Sequence, residues 1–293
     1  GESHDDDPAT PRDIYYYAAF SYDCAGNYSA LTPTSRDRST SYWLGDINPS
    51  NVGDGVIQLV DLAVFSTTFG VAQNGTGWNA EADFGPTDDY SRFGIPEPDD
   101  IIDFEDLMIL AMNYGNVSPL GTSDLPLIAG AERVPLGDQV AFRLVALERS
   151  DDRVTYAVMI DNESEALKGF SLGFDCGVGN ELVELKASPR LTGKASEHFF
   201  GTIDRGSGVV DICVAALGVD KAFEYTGEVA RVVVRETGGT SATLSKADLR
   251  DTENRSDELS LGDGGETPSL PSVSGLMQNH PNPFNPTTTI AYD

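Results

Sequence analysis

Positive charge is what this chain has least of. Nineteen lysines and arginines face 47 aspartates and glutamates across 293 residues, a formal net charge of −28. Nucleic acid needs a basic footprint, so this balance excludes it as a partner. Anionic membrane surfaces are disfavoured for the same reason. Apolar runs are short, and none approaches the roughly 18 residues of a membrane-spanning helix. The opening segment GESHDDDPATP is acidic and polar where a signal peptide would be basic and then apolar. The numbering is therefore expected to start inside a longer or processed protein.

Cysteine and histidine are scarce too. Cys24, Cys176 and Cys213 form no Cys-x-x-Cys pair, and His4, His198 and His280 lie in three separate segments. Zinc or a histidine-based triad would need such groups to converge. Cys176 and Cys213 fall in strand-like runs of one domain and either pair or remain two buried thiols. No Gly-x-x-x-x-Gly-Lys loop occurs, and the GSG at 206–208 sits in a turn with no adjacent base candidate. Glu181 and Glu184 are the nearest thing to a glycosidase pair, with no cleft-forming fold around them. No enzyme is expected. Sequons at Asn27, Asn74, Asn116, Asn162 and Asn254 match Asn-x-Ser/Thr, a weak signal outside eukaryotic secretion.

What the chain does have is a repeat. DGVIQLVDL at 54–62 and DDIIDFEDL at 99–107 align, with Asp54 over Asp99, Ile57 over Ile102, Asp61 over Asp106 and Leu62 over Leu107. The match continues through Phe65 over Leu110 and Phe69 over Tyr114 to Gly70 over Gly115. Leu62, Phe65 and Phe69 have helical spacing, and glycine just past the periodic run is the expected helix stop. Each copy reads as an acidic loop followed by a helix.

A hard cation such as calcium takes six to eight oxygens, which a loop supplies at alternating positions before a closing acidic residue. The first loop offers Asp46, Asn48, Asp54, the Val56 carbonyl, Gln58 and Asp61. The second offers Asp83, Asp99, the Ile101 carbonyl, Asp103 and Asp106. Two calcium ions are expected, with Ile57 pairing with Ile102 across the two loops. Two solvated acidic turns before helices are the alternative. Both loops carry insertions between their early and late positions, and the second has Gly85 where a side-chain ligand would stand.

The pair GDINP…GDGVIQLVDLAVFSTTFG and DFGP…DDIIDFEDLMILAMNYG resembles a dockerin module over residues 44–117. That resemblance implies two calcium loops, each followed by a helix and closed by aspartate. Before it, IYYYAAFSYD, the turn YDCAGNYS and a partner strand at STSYW resemble the last hairpin of a fibronectin type III domain, within residues 1–43. Residues 118–127 read as a linker, spanning at most about 35 Å when extended.

From 128 to 262 the texture is of short β-rich runs: QVAFRLVAL, RVTYAVMIDN, LKGFSLGFDC, GVVDICVAAL and GEVARVVVRE. Their spacing predicts a β-sandwich. Phe170, Leu172 and Phe174 should share its core face, as should Val210, Ile212 and Val214. Strand order and pattern resemble a cohesin, a jelly-roll-type sandwich that binds dockerins. Residues 263–275 form a Gly/Pro/Ser linker. LMQNHPNPFNPTTTIAYD at 276–293 resembles the start of a type IX secretion sorting domain, which implies export through a bacterial outer membrane to the cell surface or beyond.

The expected fold class is thus mainly β and multi-domain, a cohesin-like sandwich plus a small α-helical dockerin-like module. The expected function is non-catalytic: extracellular protein–protein assembly, with self-assembly into a scaffold or filament among its forms and the two modules touching within the chain. The alternative is the non-catalytic tail of a larger secreted hydrolase of the polysaccharide-degrading kind. Carbohydrate binding would need an exposed aromatic platform, for which Trp78 and Tyr90 are the candidates.

Overall fold

The computed structural model describes residues 13–32, 36–47, 53–117, 135–193 and 197–261. Asn48, both linkers and the sorting-domain-like segment 276–293 lie outside them.

The chain opens with a two-stranded antiparallel hairpin, β1 (Ile14–Ala18) and β2 (Arg36–Thr40), with Ile14 opposite Thr40. The partner strand lies earlier than STSYW predicts. Tyr42 and Trp43 have left it because Trp43 and Leu44 turn into the core of the next module. Arg38 ties the hairpin to that module through Asp88 at 2.8 Å.

The next module holds two ten-residue helices, α1 (Leu59–Thr68) and α2 (Phe104–Asn113), at the places the repeat predicts. Gly70 and Gly115 follow them at φ of 81° and 91°, the left-handed conformation in which glycine ends a helix without strain. The loops are joined crosswise. Ile57 exchanges backbone hydrogen bonds with Gly115 and Asn116 after the second helix, and Ile102 does so with Gly70 and Val71 after the first. Ile57 and Ile102 are both buried. Their backbone pairing is thus with the far helix's tail rather than with each other, because the amide and carbonyl of each are already engaged there.

Nine antiparallel strands among the described residues build the sandwich. One sheet runs β11-β10-β5-β8-β7 and the other β3-β4-β9-β6. β3 is Val140–Ser150, β4 Arg153–Asn162, β5 Leu167–Asp175, β6 Glu181–Ala187 and β7 His198–Gly206. β8 is Val209–Ala216, β9 Gly227–Arg235, β10 Thr243–Asp251 and β11 Ser256–Ser260. The described chain is mainly β with few helices. Phe170, Leu172, Phe174, Ile212 and Val214 meet Val154, Tyr156, Val158 and Val232 in the core between the sheets. Phe142 and Phe223 stack edge-on against Phe170 at 4.9 and 5.6 Å.

β5 is buried along both of its faces, which alternation alone does not explain. The helical module covers the outer face. Leu107, Met108, Ala111 and Met112 share a second core with Phe199, Ile203, Cys213, Ala215 and Leu217 of the sandwich. At the edge of this joint, buried Lys168 donates to the carbonyls of Gly218 (2.5 Å) and Lys221 (2.9 Å). The Gly218 amide in turn donates to the Ala111 carbonyl of α2 at 3.0 Å. Burial, which penalises the ammonium, brings the Lys168 pKa down to about 7.

The paired acidic loops and their joint

The two loops repeat in hydrogen bonding what they repeat in sequence. In the first, the Asp46 carboxylate accepts from the amides of Asp54 (3.1 Å) and Gly55 (3.0 Å). In the second, Asp83 accepts from Asp99 (3.2 Å) and Asp100 (3.1 Å). Asp54 and Asp99 each accept from the amide two residues on, Val56 and Ile101. Gly55 and Asp100 both take positive φ, 81° and 70°, so Asp100 adopts the turn that glycine makes in the first copy.

The closing aspartates match as well. Asp61 accepts from Ile47 and from Gln58, both at 2.9 Å, clamping the loop's beginning onto the start of α1. Asp106 accepts from Phe84 (2.7 Å), Gly85 (2.6 Å) and Asp103 (2.8 Å) at the start of α2. Each carboxylate also caps its helix from the third position, where negative charge and free amides suit each other. The absent side chain of Gly85 has a reason here. A Cβ at this position would lie 2.6 Å from the Asp106 nitrogen and the Glu105 carbonyl carbon, so the loop gives up a ligand to close on the helix.

Asp61, Asp83 and Asp106 are buried carboxylates whose hydrogen bonds all come from backbone amides. Burial pushes the carboxyls of Asp83, Asp103 and Asp106 above their ordinary range. Neighbouring carboxylates push further: Asp99 and Asp100 on Asp83, Asp99 on Asp103, and Asp103 on Asp106. Such a set is short of positive charge. A carboxylate oxygen has two lone pairs and an amide takes one, so donor capacity remains on these groups. Among the described residues, the Val56 and Ile101 carbonyls accept no hydrogen bond. The donor chemistry of both loops therefore fits a hard cation. Among the described residues, no three acidic, histidine or cysteine side chains converge as ligands, each loop carboxylate being turned onto its own loop's amides. Gln58 reaches Asp54 through Nε2 at 3.2 Å, and Asp103 accepts from Glu105 at 3.1 Å.

The joint beside these loops escapes sequence reading. Phe199 of β7 meets Phe65 and Phe69 edge-on, with ring centroids 5.8 and 5.2 Å away. Gly169 and Gly201 make room on the sheet: a Cβ would stand 2.9 Å from the Met108 sulfur or 2.6 Å from the Phe69 ring. Around the rim, Arg250 reaches Glu105 (3.3 Å), Arg205 approaches Asp103 (3.7 Å), and Asn254 donates to the Tyr90 carbonyl (2.8 Å).

Other candidates resolve simply. Trp78 packs partly buried against the module core, leaving Tyr90 exposed. The exposed aromatics cluster instead on the first hairpin and its turn, at Tyr16, Tyr17, Phe20, Tyr22 and Tyr28. Cys176 and Cys213 are free thiols in different cores, on opposite faces of one sheet. Burial raises the Cys213 thiol to about 12, far from a nucleophile's range. Asn116 and Asn254 are buried and hydrogen-bonded, so two of the five sequons are closed to modification in the fold. Among the described residues no helix is long and apolar enough to cross a membrane.

No protein-family model matches the chain. No curated protein is significantly similar to it in sequence. Among solved structures it is similar to a cohesin module from a family 33 glycoside hydrolase of Clostridium perfringens, at 15% identity over 42% of this chain and 89% of that one, TM-score 0.32. It is also similar to a chain of a type I cohesin–dockerin complex from Clostridium thermocellum, at 13% identity over 44% and 95%, TM-score 0.32. A third is the second type II cohesin module of the cellulosomal adaptor scaffoldin of Acetivibrio cellulolyticus, at 8% identity over 42% and 91%, TM-score 0.32.

Proposed function

We propose that this chain is a non-catalytic assembly protein in which a calcium-stiffened, dockerin-like module is held against a cohesin-like sandwich of the same chain. The observation that carries this reading is the joint, where Phe65 of α1 and Phe69 just after it enclose Phe199 of β7 and apolar residues of α2 lie on β5 and β8. An extended apolar contact of this kind fixes the angle between two modules, which is what a spacer or scaffold needs.

Calcium supplies the positive charge that the loops lack. The first ion would be held by Asp46, Asn48, Asp54, the Val56 carbonyl, Gln58 and Asp61. The second would be held by Asp83, Asp99, the Ile101 carbonyl, Asp103 and Asp106. The matched hydrogen-bond frames and the mutual repulsion of the second loop's carboxylates support this. An extracellular setting is consistent with it, since calcium sites in extracellular modules are tuned to about 10⁻⁴–10⁻³ M. The resemblance at 276–293 supports export through the outer membrane. Formed between copies instead of within one, the same joint would be heterologous and would extend into a ring or filament.

The test is a calcium titration of the full chain by calorimetry, with thermal melts in calcium and in excess chelator. Uptake of two ions and a higher melting temperature in calcium are expected. No heat of binding together with an unchanged melt would overturn the reading.

A further inference from the structure

The two loops do not meet the same electrostatic surroundings. Asp54 and Asp61 have no ion pair among the described residues. The second loop lies against two guanidinium groups of the sandwich. Arg205 of β7 stands 3.7 Å from Asp103 while anchored to Asp211 at 2.7 Å. Arg250 of β10 reaches Glu105 at 3.3 Å and is only 7% exposed. Asp248 holds the same Nη2 at 2.8 Å and Nε at 3.0 Å, and the Phe104 ring lies 6.0 Å from its central carbon. Both arginines are thus fixed beneath the start of α2, where Asp103 caps the helix and Asp106 sits in its first turn.

From this we infer that Arg205 and Arg250 fill part of the second cation's electrostatic role, so that calcium in the second loop and the polar seating of the module on the sheet oppose each other. The inference rests on the calcium reading above and adds a regulation to it. Asp103 serves both: its carboxylate is a candidate ligand and also the partner of Arg205. A divalent ion drawing on Asp103 competes with the guanidinium for it, and like charges a few ångströms apart repel. Coupling of this kind is reciprocal, so seating lowers the second loop's affinity to the extent that calcium loosens the rim. The first loop stands outside this exchange.

Calcium titration of the full-length chain tests this, comparing wild type with Arg205→Gln and Arg250→Gln. Arg143→Gln is the control, because Arg143 pairs with Asp161 at 2.9 Å on the opposite sheet and carries the same charge change. Two affinity classes are expected in wild type. In Arg205→Gln the weaker class should tighten roughly three- to tenfold, with Asp211 released to act in the same direction, and the stronger class should stay put. Added salt should shrink the difference by screening, since Arg205 is partly exposed. Arg250 is nearly buried, so Arg205→Gln carries the test alone if Arg250→Gln fails to fold. Both classes unchanged in Arg205→Gln, or a weaker class that loosens, overturns the inference while leaving the calcium reading standing. A shift of the same size in the Arg143→Gln control overturns it equally. A wild-type chain that takes up no calcium overturns both.

Discussion

Gly201 of β7 faces Phe69, with the place of a Cβ only 2.6 Å from the Phe69 ring. The helical module can sit this close because the sheet has a gap in its side-chain layer there. Gly201→Val should expel Phe69, separate it from Phe199 and destabilise the full chain. Phe199→Ala, which truncates a buried aromatic, should cost about 3–5 kcal/mol in chemical denaturation. A loss under about 1 kcal/mol in both variants would show that the joint contributes little.

Inside the sandwich, Phe174 is fully buried on the face expected from alternation. Phe174→Ala should also cost about 3–5 kcal/mol, and urea unfolding measures it. Ser171 lies on the opposite face of the same strand, near Cys213 at 3.5 Å. Ser171→Ala should be milder, since it removes one weak thiol–hydroxyl contact.

Asp61→Asn separates capping from charge. The amide oxygen still accepts one backbone hydrogen bond, so in chelator the variant should lose no more than about 1–2 kcal/mol. In calcium, where wild type is expected to gain stability, Asp61→Asn should gain far less. Melts of both proteins with and without chelator give the four values needed. Equal calcium responses would remove Asp61 from the first site.

Stability should depend on pH above neutrality. Lys168 has a folded pKa of about 7 against an ordinary value of 10.5, so the unfolded chain binds the extra proton between these values. Stability then rises with pH from about 7, as the penalty for a buried ammonium is relieved. Cys213 and Tyr156 act oppositely: burial raises each to about 12, and the unfolded chain loses these protons first, from about pH 9 for the thiol and 10 for the phenol. A maximum near pH 9 is expected in urea unfolding across pH 6–11. Lys168→Met should flatten the rising limb and leave the falling one. An unchanged rising limb would show that Lys168 is not its source.

The repeat was legible because its signals are local: helical spacing, a glycine stop, and carboxylates at matching offsets. RVTYAVMIDN was legible for the same reason, its alternation reading directly as β4. Four strands were not. β6 and β11 are edge strands in which charged residues alternate with partly buried ones, so little of their sequence looks apolar. β7 and β10 are half polar and carry glycine, aspartate and lysine within the strand. The acidic ligand pattern could be read along one segment, but Arg205 and Arg250 come from strands about a hundred residues and more away, and no local pattern points to them. The outer-face residues Phe199, Ile203 and Ala215 likewise became meaningful only once the helices were seen to cover them.

The crosswise pairing of Ile57 and Ile102 has a consequence for how the repeat can be divided. Each copy borrows its closing backbone bonds from the tail of the other: Gly115 and Asn116 complete the first, Gly70 and Val71 the second. Half of the module, cut out at the sequence boundary between copies, would expose four open backbone groups, those of its own isoleucine and those of its own helix tail, and an uncovered isoleucine. The duplicated sequence is therefore not a duplicated folding unit. A loop-helix half added to a second protein should remain unfolded, whereas the two halves supplied as separate peptides should fold only together, in a one-to-one complex.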